Sequence, residues 1–125
     1  MNDKDEVLEV VAKYIESAHE SDGNLVRDIF HEDAKVTGHL KGKLLRQSKE
    51  DWAKFVENLQ PSPKEKGEEK HFVIHFLDVG TETAVVKVKS NYINHIFLDT
   101  LSCIKADGKW VIYNKIFESI DDLQV

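Results

Sequence analysis

An α+β fold, with N-terminal helices packed on an antiparallel sheet, is what this sequence predicts, and three observations predict it. Apolar residues recur at helical spacing in the first segment and again around Phe55. After His71 the chain turns into Val-, Ile- and Phe-rich runs separated by turn signals. The length, 125 residues, suits one hydrophobic core, so residues 1–125 are read as a single domain.

Each element has its own local reason. Val7, Leu8, Val10, Val11, Tyr14, Ile15 and Ala18 form one apolar face of a helix from about residue 4 to about residue 20, opened by acids that suit its N-terminus. Ser21-Asp22-Gly23-Asn24 breaks it, and a short helix with Leu25, Val26, Ile29 and Phe30 follows. Ala34 to Leu40 reads as a strand, and Leu44 to Gln47 as a short strand or extended link. Ser48 and Asp51 approximate a capping box for a helix that buries Trp52, Phe55, Val56 and Leu59 and ends at Pro61. Residues 61–70 have no periodicity and read as a mobile surface loop. The rest is strand: His71 to Val79, Ala84 to Val88, Ile96 to Ile104 and Trp110 to Ile120. Asp107-Gly108 marks the last hairpin, and a further turn lies somewhere within Ser90 to His95.

Charge and composition exclude several classes. The net charge of -6 and the interleaving of Lys with Glu and Asp argue against nucleic-acid binding. No apolar stretch approaches membrane-spanning length, and the acidic N-terminus is the opposite of a signal peptide, so a cytoplasmic location is expected. The lone Cys103 sits in an apolar run and reads as a buried thiol.

The order helix, short helix, strand, helix, then long consecutive strands resembles the nuclear transport factor 2-like superfamily. Phe30-His31-Glu32-Asp33-Ala34 looks like that superfamily's Phe-His-Pro-Asp-Ala segment, with Glu in place of Pro. Phe97 to Ser102, Asp107 to Ile112 and Asn114 to Phe117 look most like the putative lumazine-binding family, which groups with the SnoaL-like polyketide cyclases. The resemblance implies a curved sheet, mixed at its edge, wrapped round the helices into a cone, an internal cavity and a homodimer on the sheet's outer face. It supplies no catalytic residues to transfer, and fold alone does not choose among the superfamily's isomerases, dehydratases, cyclases, transport factors and association domains.

Asp99 is the candidate catalytic residue. Phe97, Asp99, Leu101 and Cys103 share a strand face. With a two-residue turn at Asp107-Gly108, Cys103 faces Ile112, Leu101 faces Asn114, and Asp99 faces Ile116 on the concave side. Lys115 then lies on the outer face with Tyr113 and Phe117. A three-residue turn would instead set Lys115 opposite Leu101 and diagonal to Asp99. A carboxyl in an apolar cavity has a raised pKa and can shuttle protons. The commoner outcome for such a residue is a structural Asp, hydrogen-bonded to Asn114 or Tyr14 or exposed at the sheet's rim.

Tyr14, Phe30, Trp52, Phe55, Phe97 and Asn114 are the candidates to line the cone, where a small apolar or aromatic molecule would bind; aromatics at helical spacing are more often plain core. No cofactor is implied and no metal site is expected. His71 and His75 share a strand face but stand roughly 13 Å apart at about 3.3 Å per residue. The expected function is a small-molecule-binding cone, either carrying out proton transfer of the isomerase, dehydratase or cyclase kind through Asp99 or acting as a carrier. The alternative is a dimeric interaction module with a filled cone. Leu98, Ile104, Tyr113 and Phe117 on one sheet face, against Leu101, Ile112 and Ile116 on the other, lead to the homodimer expectation.

Overall fold

The computed structural model describes residues 1–121. Three helices, α1 (Asp3–His19), α2 (Gly23–Ile29) and α3 (Lys49–Asn58), lie on a six-stranded sheet. Its strands are β1 (Phe30–Leu40), β2 (Lys43–Ser48), β3 (Phe72–Val79), β4 (Thr83–Tyr92), β5 (His95–Ala106) and β6 (Lys109–Ser119). They run in the order β2-β1-β6-β5-β4-β3, with β1 and β6 parallel and the other neighbours antiparallel. No helix among the described residues is long and apolar enough to cross a membrane.

Capping fixes where the helices begin. The Asn2 side chain accepts from the Asp5 amide and that of Asp22 from the Leu25 amide. Ser48 and Asp51 close the capping box in both directions, Asp reaching where Glu is more usual. Helix α1 buries Val7, Val10, Val11, Tyr14 and Ile15 against the sheet. Its start is tied to the last hairpin, because Asp3 accepts from the Trp110 indole and pairs with Lys105. Val36, Val86, Val88, Leu101 and Ile112 answer from the sheet in one common core, each worth about 1.5–3 kcal/mol over an exposed position.

Two connecting segments refine or change the sequence expectation. The turn within Ser90 to His95 falls at Ile93-Asn94, both with positive φ (47° and 64°), so β4 runs on to Tyr92 and β5 starts at His95. Residues 61–70 form a folded loop whose start is pinned. Ser62 and Glu65 each bond the other's backbone amide, and the Lys64 amide donates to the His19 carbonyl. Short-range side-chain capping of this kind leaves no periodic trace in a sequence.

The last hairpin corrects the expected register. Asp107 and Gly108 form the two-residue turn, and Cys103 does face Ile112. A β-bulge then inserts one extra residue in β6, so Ser102 faces Asn114, Leu101 faces Lys115 and Asp99 faces Phe117. From Asn114 onward every side chain of β6 changes face. Lys115 and Phe117 become buried, while Ile116 is 54% exposed. A second bulge interrupts β3 at His75, and His71, exposed like His75, lies just before the strand's start at Phe72.

Candidate functional site

Asp99 sits midway along β5, between Val88 of β4 and Phe117 of β6, and only 2% of its surface is exposed. Tyr14 comes down from the buried face of α1, and its hydroxyl donates to Asp99 Oδ2 at 2.5 Å. A tyrosine can span helix to sheet there because its ring packs edge-on against Phe30, centroids 6.2 Å apart. The other carboxyl oxygen, Oδ1, is buried with no hydrogen-bond partner among the described residues.

Lys115 reaches the same interior from β6. Its Nζ stands 3.9 Å from the ring centroid of Trp52, 4.9 Å from that of Tyr14 and 5.2 Å from that of Phe117. This is a cage of aromatic faces around a cation. Burial drives the Lys115 ammonium down to about 8, with the Asp99 carboxylate resisting. Burial likewise raises the Asp99 carboxyl, against the pull of Lys115 and the Tyr14 hydroxyl. Tyr14 itself is pushed well above 10, first by burial and then by Asp99, so it stays a hydrogen-bond donor.

A hollow of about 110 Å³ opens among these groups. Tyr14, Asp99 and Lys115 form its polar floor; Trp52, Phe55 and Phe97 form its walls. Trp52 and Phe55 stack at 5.5 Å and 16°. Pro63 and Glu68 of the folded loop and Ile93 of the hairpin tip also border it. Besides Asp99 Oδ1, the buried side-chain polar atoms without a partner among the described residues are Trp52 Nε1 and Tyr92 Oη, and both residues line this same hollow. Buried polar atoms are satisfied in the great majority of cases, yet three without a partner among the described residues surround this one space.

Of the residues singled out in the sequence, Tyr14, Trp52, Phe55, Phe97 and Asp99 come together here. Phe30 does not border the hollow; it is 2% exposed and lies behind Tyr14 as core. Asn114 is also absent from the lining, since the bulge turns it away to face Ser102. Lys115 and Phe117 take the places that the bulge vacates, and Tyr92 joins because β4 is longer than its apolar run suggested. The Asn94 residue, tolerant of positive φ, is the sequence signal that would have placed that hairpin. Cys103 is a buried free thiol, as expected, pushed up to about 12 by burial.

Helices closing one side of a curved six-stranded sheet around a hollow define a nuclear transport factor 2-like cone. Three solved structures share that architecture. An NTF-2 like protein of unknown function from Silicibacter pomeroyi DSS-3 superposes with a TM-score of 0.77 at 20% identity, over 91% of this chain and 92% of that one. One from Methylobacillus flagellatus KT gives 0.76 at 27%, over 92% and 90%. One from Shewanella baltica OS155 gives 0.75 at 24%, over 90% of each chain. The chain belongs to the family described as putative lumazine-binding, whose profile matches residues 2–118. It is also 30% identical over 120 residues to the aldolase FrzH of Cladobotryum sp., spanning 92% of this chain and 90% of that protein.

Proposed function

We propose that the cone takes up a small, flat, carbonyl-bearing molecule and that Asp99 moves a proton at the carbon next to the carbonyl. The observation that carries this reading is Asp99 Oδ1, buried, unpartnered and on the hollow, while Oδ2 is held by Tyr14. A carboxyl whose pKa is raised by burial is a stronger proton acceptor than an exposed one and can return the proton it takes. The Tyr14 hydroxyl keeps the acid oriented, and the aromatic walls suit a flat body.

The relatives support the chemistry at different depths. An aldol reaction begins with loss of a proton next to a carbonyl, which is the step assigned here to Asp99, and one relative is named an aldolase. Lumazine is a flat ring bearing carbonyls, and the family's description names it. The hollow speaks against a cone filled by its own side chains. Two copies pair through the outer sheet face, where Val73, Phe76, Val85, Tyr113 and Ile116 are exposed, and the protein works in the cytoplasm.

The test is exchange of α-protons of a ketone panel in heavy water, followed by proton NMR. The native protein should accelerate washout over buffer, and Asp99→Asn should lose about 100-fold or more of that acceleration. Exchange at the native rate in Asp99→Asn would remove Asp99 from the chemistry.

A further inference from the structure

Lys115 is a second reactive group that proton transfer by Asp99 does not use. A lysine amine is seldom buried, because the charged form loses its water shell. Here 4% of the residue is exposed, and among the described residues Nζ has neither a hydrogen bond nor an ion pair; aromatic rings and the more distant Asp99 charge are what face it. An ammonium kept only as a counter-charge would be expected in direct contact with its carboxylate. Asp99 Oδ2 is instead engaged by Tyr14, and Oδ1 remains unpartnered.

The β-bulge is what brings this amine inside. With the extra residue, Lys115 lies opposite Leu101, one pleat from Asp99 on the same face of the sheet, and both side chains border the hollow. A carbonyl carbon held between the two would meet the amine on one side and the carboxyl on the other. The Trp52 ring covers Nζ and restricts the directions from which a partner can approach.

We propose that Lys115 is a nucleophile that condenses with an aldehyde or ketone in the hollow, forming an imine whose proton transfers Asp99 conducts. The neutral amine adds through its lone pair to the carbonyl carbon, the C=O π electrons move onto oxygen, and one proton of the amine passes to that oxygen, through water, to give the carbinolamine. The hydroxyl then leaves as water, its second proton supplied by the Asp99 carboxylic acid, and the nitrogen lone pair closes the C=N bond of the protonated imine. Asp99, now a carboxylate, removes the proton from the adjacent carbon, and the electron pair of that C–H bond flows into the iminium to leave an enamine. Protonation or carbon–carbon bond formation at that carbon, followed by return of water, releases the amine. Every step uses only the carbonyl compound, water and the two side chains. At pH 8 about half of such an amine is neutral, against a small fraction for a surface lysine.

This inference rests on the carbonyl-pocket reading and is separable from it. The experiment incubates the whole protein with propanal or benzaldehyde and sodium cyanoborohydride, which reduces an imine to a stable secondary amine. Peptide mass mapping then seeks a gain equal to the aldehyde less one oxygen atom. The expected result is preferential labelling of Lys115 over surface lysines, at least 10-fold faster, with the rate at Lys115 rising to its half-maximum near pH 8. Lys115→Met, checked for fold by circular dichroism, should lose the fast phase and keep the slow surface labelling. Labelling by both aldehydes spread over surface lysines, with Lys115 unmodified, would overturn the inference. So would native rates of α-proton exchange in Lys115→Met; that result would leave Asp99-dependent proton transfer standing alone. Loss of exchange in Asp99→Asn, with labelling of Lys115 slowed yet still ahead of the surface lysines, is the pattern expected if the amine adds to the carbonyl and the carboxyl moves the protons.

Discussion

Asp99 and Lys115 are each charged groups that burial would rather see neutral, and the consequence is a stability that depends on pH in two opposite senses. The unfolded Asp99 carboxyl gives up its proton near 3.8, while the folded one keeps it to higher pH. The folded state therefore binds more protons above 3.8, and stability from this group falls as pH rises through the folded value. Lys115 runs the other way: the folded amine loses its proton near 8 and the unfolded one near 10.5, so stability rises across that interval. Urea midpoints measured from pH 4 to 10.5 should show the native protein losing ground to Asp99→Asn on the acid-to-neutral limb. Lys115→Met should lack the alkaline gain. Parallel profiles for all three proteins would contradict the burial of both groups. Tyr14→Phe makes a separate demand: it removes the hydroxyl that donates to Asp99 Oδ2 and should cost about 1–3 kcal/mol.

Single elements carry the site through two local irregularities, the bulge of β6 and a glycine of β1. Gly38 pairs with Phe117 across the parallel β1–β6 contact, and a Cβ there would stand 2.1 Å from the Phe117 carbonyl oxygen and 2.5 Å from its ring Cγ. The missing side chain lets the Phe117 ring lie over β1 and close the hollow beside Lys115. Gly38→Ala must displace backbone and should destabilise by about 1–3 kcal/mol in urea melts. Gly42→Ala meets no neighbour, so it has only the positive-φ strain of its turn.

These same elements divide what was legible in the sequence from what was not. The helices, the capping box and the Asp107-Gly108 turn follow from side-chain type at fixed spacing, and all three were readable. Asp99 on the concave face followed from alternation within β5. The bulge was not readable, because Trp110, Val111 and Ile112 are apolar in succession and hide the parity of the strand. With parity lost after Ile112, a two-residue turn alone predicts Asn114 inward and Lys115 outward, the reverse of their places. Pro63 and Glu68 come to the hollow through a loop whose order rests on the Ser62–Glu65 exchange of hydrogen bonds, a contact without periodicity.

At the scale of the whole molecule the sheet has one face spent on the helices and one uncovered. Val73 and Phe76 of β3, Val85 of β4, and Tyr113 and Ile116 of β6 are exposed. The bulge helps create this surface, since it turns Ile116 outward. Light scattering at micromolar concentration should return twice the 14.4 kDa chain mass, and Ile116→Lys with Phe76→Lys should return it to the monomer. A native monomer would contradict pairing through this face while leaving the interior site untouched.

The interior site itself has a built-in reporter. The chain has two tryptophans: the indole of Trp110 already donates to Asp3, while that of Trp52 is buried, unpartnered and on the hollow. Titration of isotope-labelled protein with lumazine and small aryl ketones, followed at the two indole N–H resonances, tests directly whether the hollow is a ligand site. The account predicts a saturable shift of the Trp52 resonance with that of Trp110 unmoved; a Trp52 resonance that stays in place through millimolar concentrations of every compound would contradict it.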